Sequence, residues 1–280
     1  MKKPSACLPP PVFWRDAALP FIEARSILDG RGVCYARHTH DTFSIGAITG
    51  GVSTYWNRRS KETVGAGSVV VINPEDAHAC NPAAGQPWSY RMFYVDVAWL
   101  TGLQHQLGFS RNADFRAFST TSTTALFAGL NRLYDTLTCA HADGMQKESA
   151  AIGFFMGMQQ ALDPAPVPLV DANGKLLRAA EFISDNCTRL LSLDDICAAA
   201  GLSPAYLIRA FKGQFGMTPH AYLINRRVQY GQARLKRGAP IADAALDSGF
   251  ADQAHFQRAF KQHVAATPGQ YRGRFPASGR

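Results

Sequence analysis

Two strings near the carboxyl end, Arg209-Ala-Phe-Lys-Gly-Gln-Phe-Gly-Met-Thr-Pro-His-Ala-Tyr222 and Arg258-Ala-Phe-Lys-Gln-His-Val-Ala-Ala-Thr-Pro-Gly-Gln-Tyr271, are identical at 7 of 14 positions with a constant offset of 49 residues. What precedes each copy is shared as well. In the first, Ser192 is placed to cap a helix over 193–200, with Asp194 and Asp195 in the first turn, where the helix dipole favours acids. Gly201-Leu-Ser203 makes a turn, and Pro204 takes the first position of the next helix, where its missing N–H is harmless. In the second, Pro240 opens a helix over 241–248, Gly249-Phe-Ala251 turns, and a helix runs over 252–263. Two helices joined by a short Gly turn describe a helix-turn-helix, and the chain holds that unit twice.

Helical phase separates what each second helix buries from what it shows. At 100° per residue, Leu207, Ala210, Phe211 and Gln214 share one face, and Ala205, Arg209 and Lys212 the opposite one. In the second copy Phe256, Ala259 and Phe260 face inward; Arg258 and Lys261 face outward, flanked by His255 and Gln257. Arg reads guanine O6/N7 in bidentate fashion, Gln reads adenine N6/N7, and a small Ala admits a thymine methyl, so both outer faces suit major-groove reading. Asp252 either accepts from cytosine or caps its helix. Between the copies, residues 219–238 form one long helix carrying Arg226, Arg227, Arg234, Lys236 and Arg237, which are expected to serve as phosphate contacts and ion pairs. If this helix holds the reading helices about 34 Å apart, both enter successive major grooves from one side.

Charge points the same way. Residues 1–173 hold 14 basic and 14 acidic residues, residues 174–280 hold 15 and 7, so the net charge of +8 belongs to the last third. A neutral body with a basic terminal unit is the footprint of a polyanion binder, one that ribosome-associated and lipid-surface proteins share. The segment 163–174, with prolines at 164, 166 and 168 and ending in Asn173-Gly174, reads as an extended connector and the expected route of communication between the two parts. Ahead of it, residues 21–28, 33–38, 42–49, 52–56, 67–73 and 89–97 are short β-branched and aromatic runs broken by Gly, Pro and Asn, the mark of a small antiparallel barrel or double sheet. Residues 123–162 carry a Leu stripe at helical spacing: Leu126, Leu130, Leu133 and Leu137. This pair of helices either lids the barrel's own core or joins two chains as a homodimer. The six cysteines include no Cys-x-x-Cys pair and read as reduced, mostly buried thiols. Uncharged runs are too polar for a membrane span, and four prolines within residues 4–11 break any signal helix, so cytoplasmic residence is expected.

The strings Ala-Gly-Leu-Ser203, Arg-Ala-Phe-Lys212, Gly-Met-Thr-Pro-His-Ala-Tyr222, Ser-Gly-Phe250, Phe256-Gln-Arg-Ala-Phe-Lys261 and Thr-Pro-Gly-Gln-Tyr-Arg272 make the chain resemble the AraC/XylS family of transcription regulators over roughly residues 175–274. The resemblance implies double-stranded DNA as partner and a DNA-binding set of Ser203, Ala205, Tyr206, Arg209, Lys212, Gln253, His255, Gln257, Arg258 and Lys261. Relatives often carry a larger side chain where Ala205 stands. The strand-rich half resembles the cupin-like sensor domains of that family. The expected architecture is α+β: a cupin-like effector-binding and dimerising unit with appended helices over 1–163, a linker over 164–174, and an all-α unit of two helix-turn-helix motifs joined by a long helix over 175–280. The expected function is a sequence-specific DNA-binding regulator controlled by a small-molecule effector, with RNA polymerase as a further partner if it activates.

For the effector, His38, His40, Trp56, Asn73, His78, Arg91 and Tyr94 are the candidate lining residues. Arg91 alternates with Phe93 and Val95; if that face is inward, it is a cation seeking a carboxylate from Glu23, Asp41 or an acidic or amino-acid-like effector. If not, it belongs to a surface ladder. Gly32, His38 and His40 resemble the first cupin metal motif, and Gly67–Pro74 followed by His78 and Asn81 resembles a shifted second one; two histidines on one strand and a third from a neighbouring strand suffice for an open metal site. The glutamate of that motif is missing, since Thr42, Phe43, Ser44 and Ile45 stand in its place. The lead expectation is therefore an organic-ligand pocket with no cofactor, and no catalytic constellation indicates an enzyme.

Overall fold

A computed structural model describes residues 9–83, 86–110, 114–162 and 173–272. The amino-terminal part is built from β1 (Val12–Trp14), β2 (Ile22–Ile27), β3 (Phe43–Asn57), β4 (Ser60–Gly65), β5 (Val69–Ile72), β6 (His78–Pro82), β7 (Trp88–Val95) and β8 (Ser122–Thr123). Every pairing is antiparallel, in the order β1-β2-β7-β3-β5-β8. The long β3 belongs to two sheets: its first half lies between β7 and β5, and its second half between β4 and β6. A register shift at Ile48/Gly50 marks the change, as bulges bend a strand toward a second sheet. This is the antiparallel, cupin-like architecture expected.

Both faces of the main sheet are covered, which explains why β5 is a continuous apolar run with no alternation. Phe43, Ile45, Val69, Val71, Phe93 and Val95 meet the helices α1 (Val97–Gln106), α2 (Phe127–Thr138) and α3 (Gly144–Leu162). Ile48, Val70, Ile72, Trp88, Tyr90 and Met92 point into the barrel. The stripe Leu126, Leu130, Leu133 and Leu137 is spent on the chain's own sheet together with Phe155 and Met158; each such side chain contributes roughly 1.5–3 kcal/mol by its burial. Some local expectations need correction. Residues 42–49 and 52–56 are one strand, and residues 33–38 form no strand except a bridge between His38 and His78. Strands β4 and β6 and helix α1, capped by Asp96, were not anticipated. Of the described cysteines Cys80, Cys187 and Cys197 are buried, while Cys34 and Cys139 are exposed.

The carboxyl-terminal part is helical: α4 (Gly174–Asp185), α5 (Leu193–Ala200), α6 (Pro204–Phe215), α7 (Pro219–Lys236), α8 (Ile241–Asp247), α9 (Gln253–Val264) and α10 (Pro268–Arg272). Helix α7 lends Tyr222 and Leu223 to the core under α5 and α6, and Val228 and Leu235 to the core under α8 and α9. At Gly231 a Cβ would stand 2.6 Å from the Phe256 ring, so only glycine lets α9 approach this closely. The expected linker over 164–174 falls, apart from 173 and 174, outside the described residues.

Candidate functional site

Each reading helix begins as its sequence dictates. Ser192 and Asp195 form a reciprocal capping box at α5, and Gly201 ends that helix in the left-handed region at φ 62°. Pro204 opens α6, burying Leu207 and Phe211 and leaving Ser203, Ala205, Tyr206, Arg209 and Lys212 exposed. In the second unit the Asp252 carboxylate accepts from the His255 backbone N–H at 2.6 Å, so Asp252 caps α9. Gln253, Gln257, Arg258 and Lys261 are exposed; His255 is half-buried with its ring edge-on to Phe250. The two faces thus carry four exposed cations, Arg209, Lys212, Arg258 and Lys261, none of them in an ion pair with a described residue.

Three cations of α7 form ion pairs, one of the two roles expected of them. Arg226 pairs with Glu75 at 2.8 Å, Arg234 with Asp247 at 2.6 Å and Lys236 with Glu23 at 2.9 Å. Arg227 is only 9% exposed and donates to the carbonyls of Cys187 and Arg189. Its position is set by helical phase, which turns residue 227 toward the core beside Val228 and away from any phosphate.

Helices α7 and α9 close the mouth of the barrel. Asn225 and Gln229 bond to Thr39, the Ala36 N–H donates to the Gln262 carbonyl, and Arg37 and Arg59 donate to the carbonyls of Gly216 and Gly213 at the end of α6. These contacts join the two parts directly and bypass the Pro-rich connector. They border a half-open chamber of about 120 Å³, lined on the barrel side by Glu23, Arg25, His38, His40, Asp41 and Tyr94 and on the helical side by Asn225, Gln229, Gln232, Lys236, His263 and Tyr271.

Arg25 dominates the chamber. It is 1% exposed, no described carboxylate lies within ion-pair distance, and its Nε has no hydrogen-bond partner among the described residues. The rings of Phe13, Tyr35 and Tyr90 lie 5.2 Å, 5.8 Å and 6.0 Å from its guanidinium carbon, a partial substitute for solvation. Its neighbour Glu23 is satisfied, bonded in bidentate fashion by Arg15 and again by Lys236. Burial raises the Glu23 pKa, but Lys236 and Arg15 more than offset this and hold it below the ordinary value.

Of the seven effector candidates the structure brings four together. His38, His40 and His78 have ring nitrogens within 4.8 Å of one another, and Tyr94 meets His40 edge-on. Three stand apart. Trp56 has Arg37 and Lys61 over its ring, at 4.7 Å and 4.9 Å from the centroid. Asn73 is consumed by Asp76 and the backbone of Phe118. Arg91 pairs with Asp135 and Asn131 of α2 and lies over Tyr134. On β7 the even positions Tyr90, Met92 and Tyr94 face the barrel, and the odd positions Arg91, Phe93 and Val95 face the helices. The face that carries Arg91 is covered, yet not by the chamber.

A family model described as an AraC-like ligand binding domain matches residues 23–154, and one described as a helix-turn-helix domain matches residues 196–274. The chain belongs to the AraC family. This AraC-family chain is a DNA-binding transcriptional regulator carrying the family's ligand-binding domain. It is 26% identical over 79% of its length to the uncharacterized HTH-type transcriptional regulator YbfI of Bacillus subtilis, covering 81% of that protein. It is 42% identical over 29% of its length to the HTH-type transcriptional regulator MtrA of Neisseria gonorrhoeae, of which the match spans 27%. Its fold is shared by ToxT of Vibrio cholerae, solved with an unsaturated fatty acid bound: TM-score 0.54 at 15% identity, over 100% of both chains. An apo form of a ToxT variant gives a TM-score of 0.56 at 14% identity, covering 90% of this chain and 97% of that one. Among the described residues of the AraC-family chain no helix is long and apolar enough to cross a membrane.

Sequence reasoning missed Arg25 because Ile22-Glu-Ala-Arg25 alternates like any half-exposed strand. The available signal was two opposite charges on a strand of an otherwise apolar barrel.

Proposed function

We propose that this regulator answers to a small carboxylate held in the chamber by Arg25, and that binding alters how α6 and α9 are presented to successive major grooves through the contacts of α7 with the barrel mouth. The carrying observation is Arg25, a permanently charged guanidinium that is fully buried with no described carboxylate in ion-pair distance and with its Nε unpartnered among the described residues, one of its amino groups reaching the Ala265 carbonyl at 3.4 Å. A buried charge is costly unless paired, and a bidentate carboxylate is its natural complement. A cavity of about 150 Å³ accepts a benzene-sized molecule, so about 120 Å³ favours a short acid, aromatic or amino-acid-like, over a long-chain one. ToxT, with the same fold and a fatty acid bound, supports a carboxylate effector in this architecture. Lys236 and Tyr271, which line the chamber from the helical side, give the ligand a means of reaching the DNA-reading unit. A single chain supplies both reading helices, with Ser203, Ala205, Tyr206, Arg209 and Lys212 on one and Gln253, His255, Gln257, Arg258 and Lys261 on the other.

The test is a panel of short carboxylates screened against the full-length protein by thermal shift and by operator affinity. At least one is expected to raise Tm and change the affinity, with no response in Arg25→Met. A ligand that acts equally on wild type and Arg25→Met would remove the assignment.

A further inference from the structure

The barrel mouth holds a second constellation that the carboxylate reading does not use. His38 Nδ1 lies 2.8 Å from the Ala36 carbonyl and His78 Nδ1 lies 2.8 Å from the Asp76 carbonyl. A carbonyl only accepts, so in both rings the proton sits on Nδ1 and Nε2 keeps its lone pair. The two residues are also locked backbone to backbone, His38 N–H to His78 carbonyl at 3.1 Å and the reverse at 2.9 Å. The His40 ring forms no hydrogen bond with any described residue, and its centroid lies 4.8 Å and 4.9 Å from those of His38 and His78. The lone pairs of His38 and His78 converge with the His40 ring, and no two of the three rings hydrogen-bond to each other. Such an arrangement of like dipoles is unfavourable by itself and becomes favourable around a cation that accepts all three. Backbone carbonyls fixing the tautomer of each ring are what outer-shell partners of metal-bound histidines do.

A fourth imidazole comes from the DNA-binding part. His263 of α9 donates Nδ1–H to the Ala259 carbonyl at 2.7 Å, so its Nε2 is also an acceptor. The ring lies 6.3 Å from His38, centroid to centroid, and lines the same chamber. Burial lowers the pKa of His38, His40, His78 and His263 alike, keeping all four rings neutral and metal-competent at physiological pH.

We infer that His38, His40 and His78 form a binding site for one divalent transition-metal ion of the zinc class, open on the side of the chamber where His263 of the second reading helix stands. Neutral nitrogen donors select zinc, cobalt, nickel or copper over magnesium or calcium. Arg25 and Lys236 work against a cation here, whereas Glu23 and Asp41 line the same chamber and offset them. The open position beside those cations favours an anion as the remaining ligand, and that clause alone rests on the carboxylate reading. Because the ion sits between the barrel and α9, it fastens the two parts together.

The decisive measurement is a titration of chelator-treated full-length protein with Co²⁺, read by the visible absorption of a four-coordinate site, and with Zn²⁺, read by Tm. Wild type is expected to take up one equivalent with a rise in Tm. His40→Gln, chosen because its ring has no hydrogen bond to lose and the fold can be checked by circular dichroism, is expected to bind more than about 100-fold more weakly. His263→Gln is expected to retain Co²⁺ while losing part of the Zn²⁺-induced rise in Tm. Absence of saturable binding by folded wild type, or equal binding by folded His40→Gln, overturns the site. No DNA or carboxylate enters the titration, so such a failure would leave the effector reading intact.

Discussion

Asn225 of α7 and Thr39 at the barrel mouth, 186 residues apart in sequence, exchange two hydrogen bonds: Asn225 Nδ2 to Thr39 Oγ1 at 2.8 Å, and Thr39 N–H to Asn225 Oδ1 at 3.3 Å. Both residues are buried, and Gln229 adds a third bond to the Thr39 carbonyl at 2.9 Å. Removing one partner strands the other away from water. Asn225→Ala is therefore expected to cost about 1–3 kcal/mol, read by chemical denaturation with near-ultraviolet circular dichroism as the tertiary probe. No change in midpoint would mean that water replaces the amide freely.

For the DNA surface, Arg209→Ala and Arg258→Ala are each expected to cost about 1–3 kcal/mol at the operator and to relax base choice, with thermal stability unchanged because both side chains are exposed. Arg227→Ala should do the reverse, lowering Tm while leaving the salt dependence of binding alone, since its guanidinium serves the Cys187 and Arg189 carbonyls. Fluorescence anisotropy on operator and scrambled duplexes at several salt concentrations separates these outcomes.

Arg91→Ala provides the contrast to Arg25→Met. Arg91 is 27% exposed and Asp135 65%, so the ion pair between them is worth no more than about 1 kcal/mol. Its removal is expected to leave the carboxylate dose-response unchanged. A lost response would return the pocket to the α2 side of the sheet.

The stability of the metal-free protein should fall as pH drops. Burial holds His78 at about 4 in the folded chain, below its ordinary 6.5. Between those values the unfolded chain takes up a proton that the folded one refuses, so stability rises with pH across that window and is lost on acidification. The difference corresponds to roughly 3 kcal/mol, with His38 and His40 acting in the same direction. Urea midpoints from pH 7 to pH 4, compared with His78→Gln, measure this; a flat wild-type profile would mean that the rings are hydrated.

The double motif was legible because duplication, caps and turn glycines are local and repeat. Phe211 and Phe260 are buried, and Arg209 and Arg258 exposed, as periodicity requires. The barrel was legible as a class but not in detail. The alternation of β7 fixes that Arg91 and Tyr94 lie on opposite faces, yet not which face meets helices and which meets the lumen. Arg25 stayed hidden for a related reason: its surroundings come from Phe13, Tyr35, Tyr90 and the helical part, all contributed by other elements. The convergence of His38, His40 and His78 was anticipated from i, i+2 spacing, although His38 and His40 come from an irregular segment bridged to the first residue of β6 and not from a strand.

Helix α7 is gripped by the barrel near Asn225 and again at Lys236, two points about 16 Å apart along its axis. A rod held at one point pivots; held at two, it transmits torque. Loosening the Lys236 end while Asn225 stays fixed would still leave the α9 side tied to the barrel by the Ala36 bond to the Gln262 carbonyl and the Arg25 bond to the Ala265 carbonyl, so the second motif comes free only when those holds yield as well.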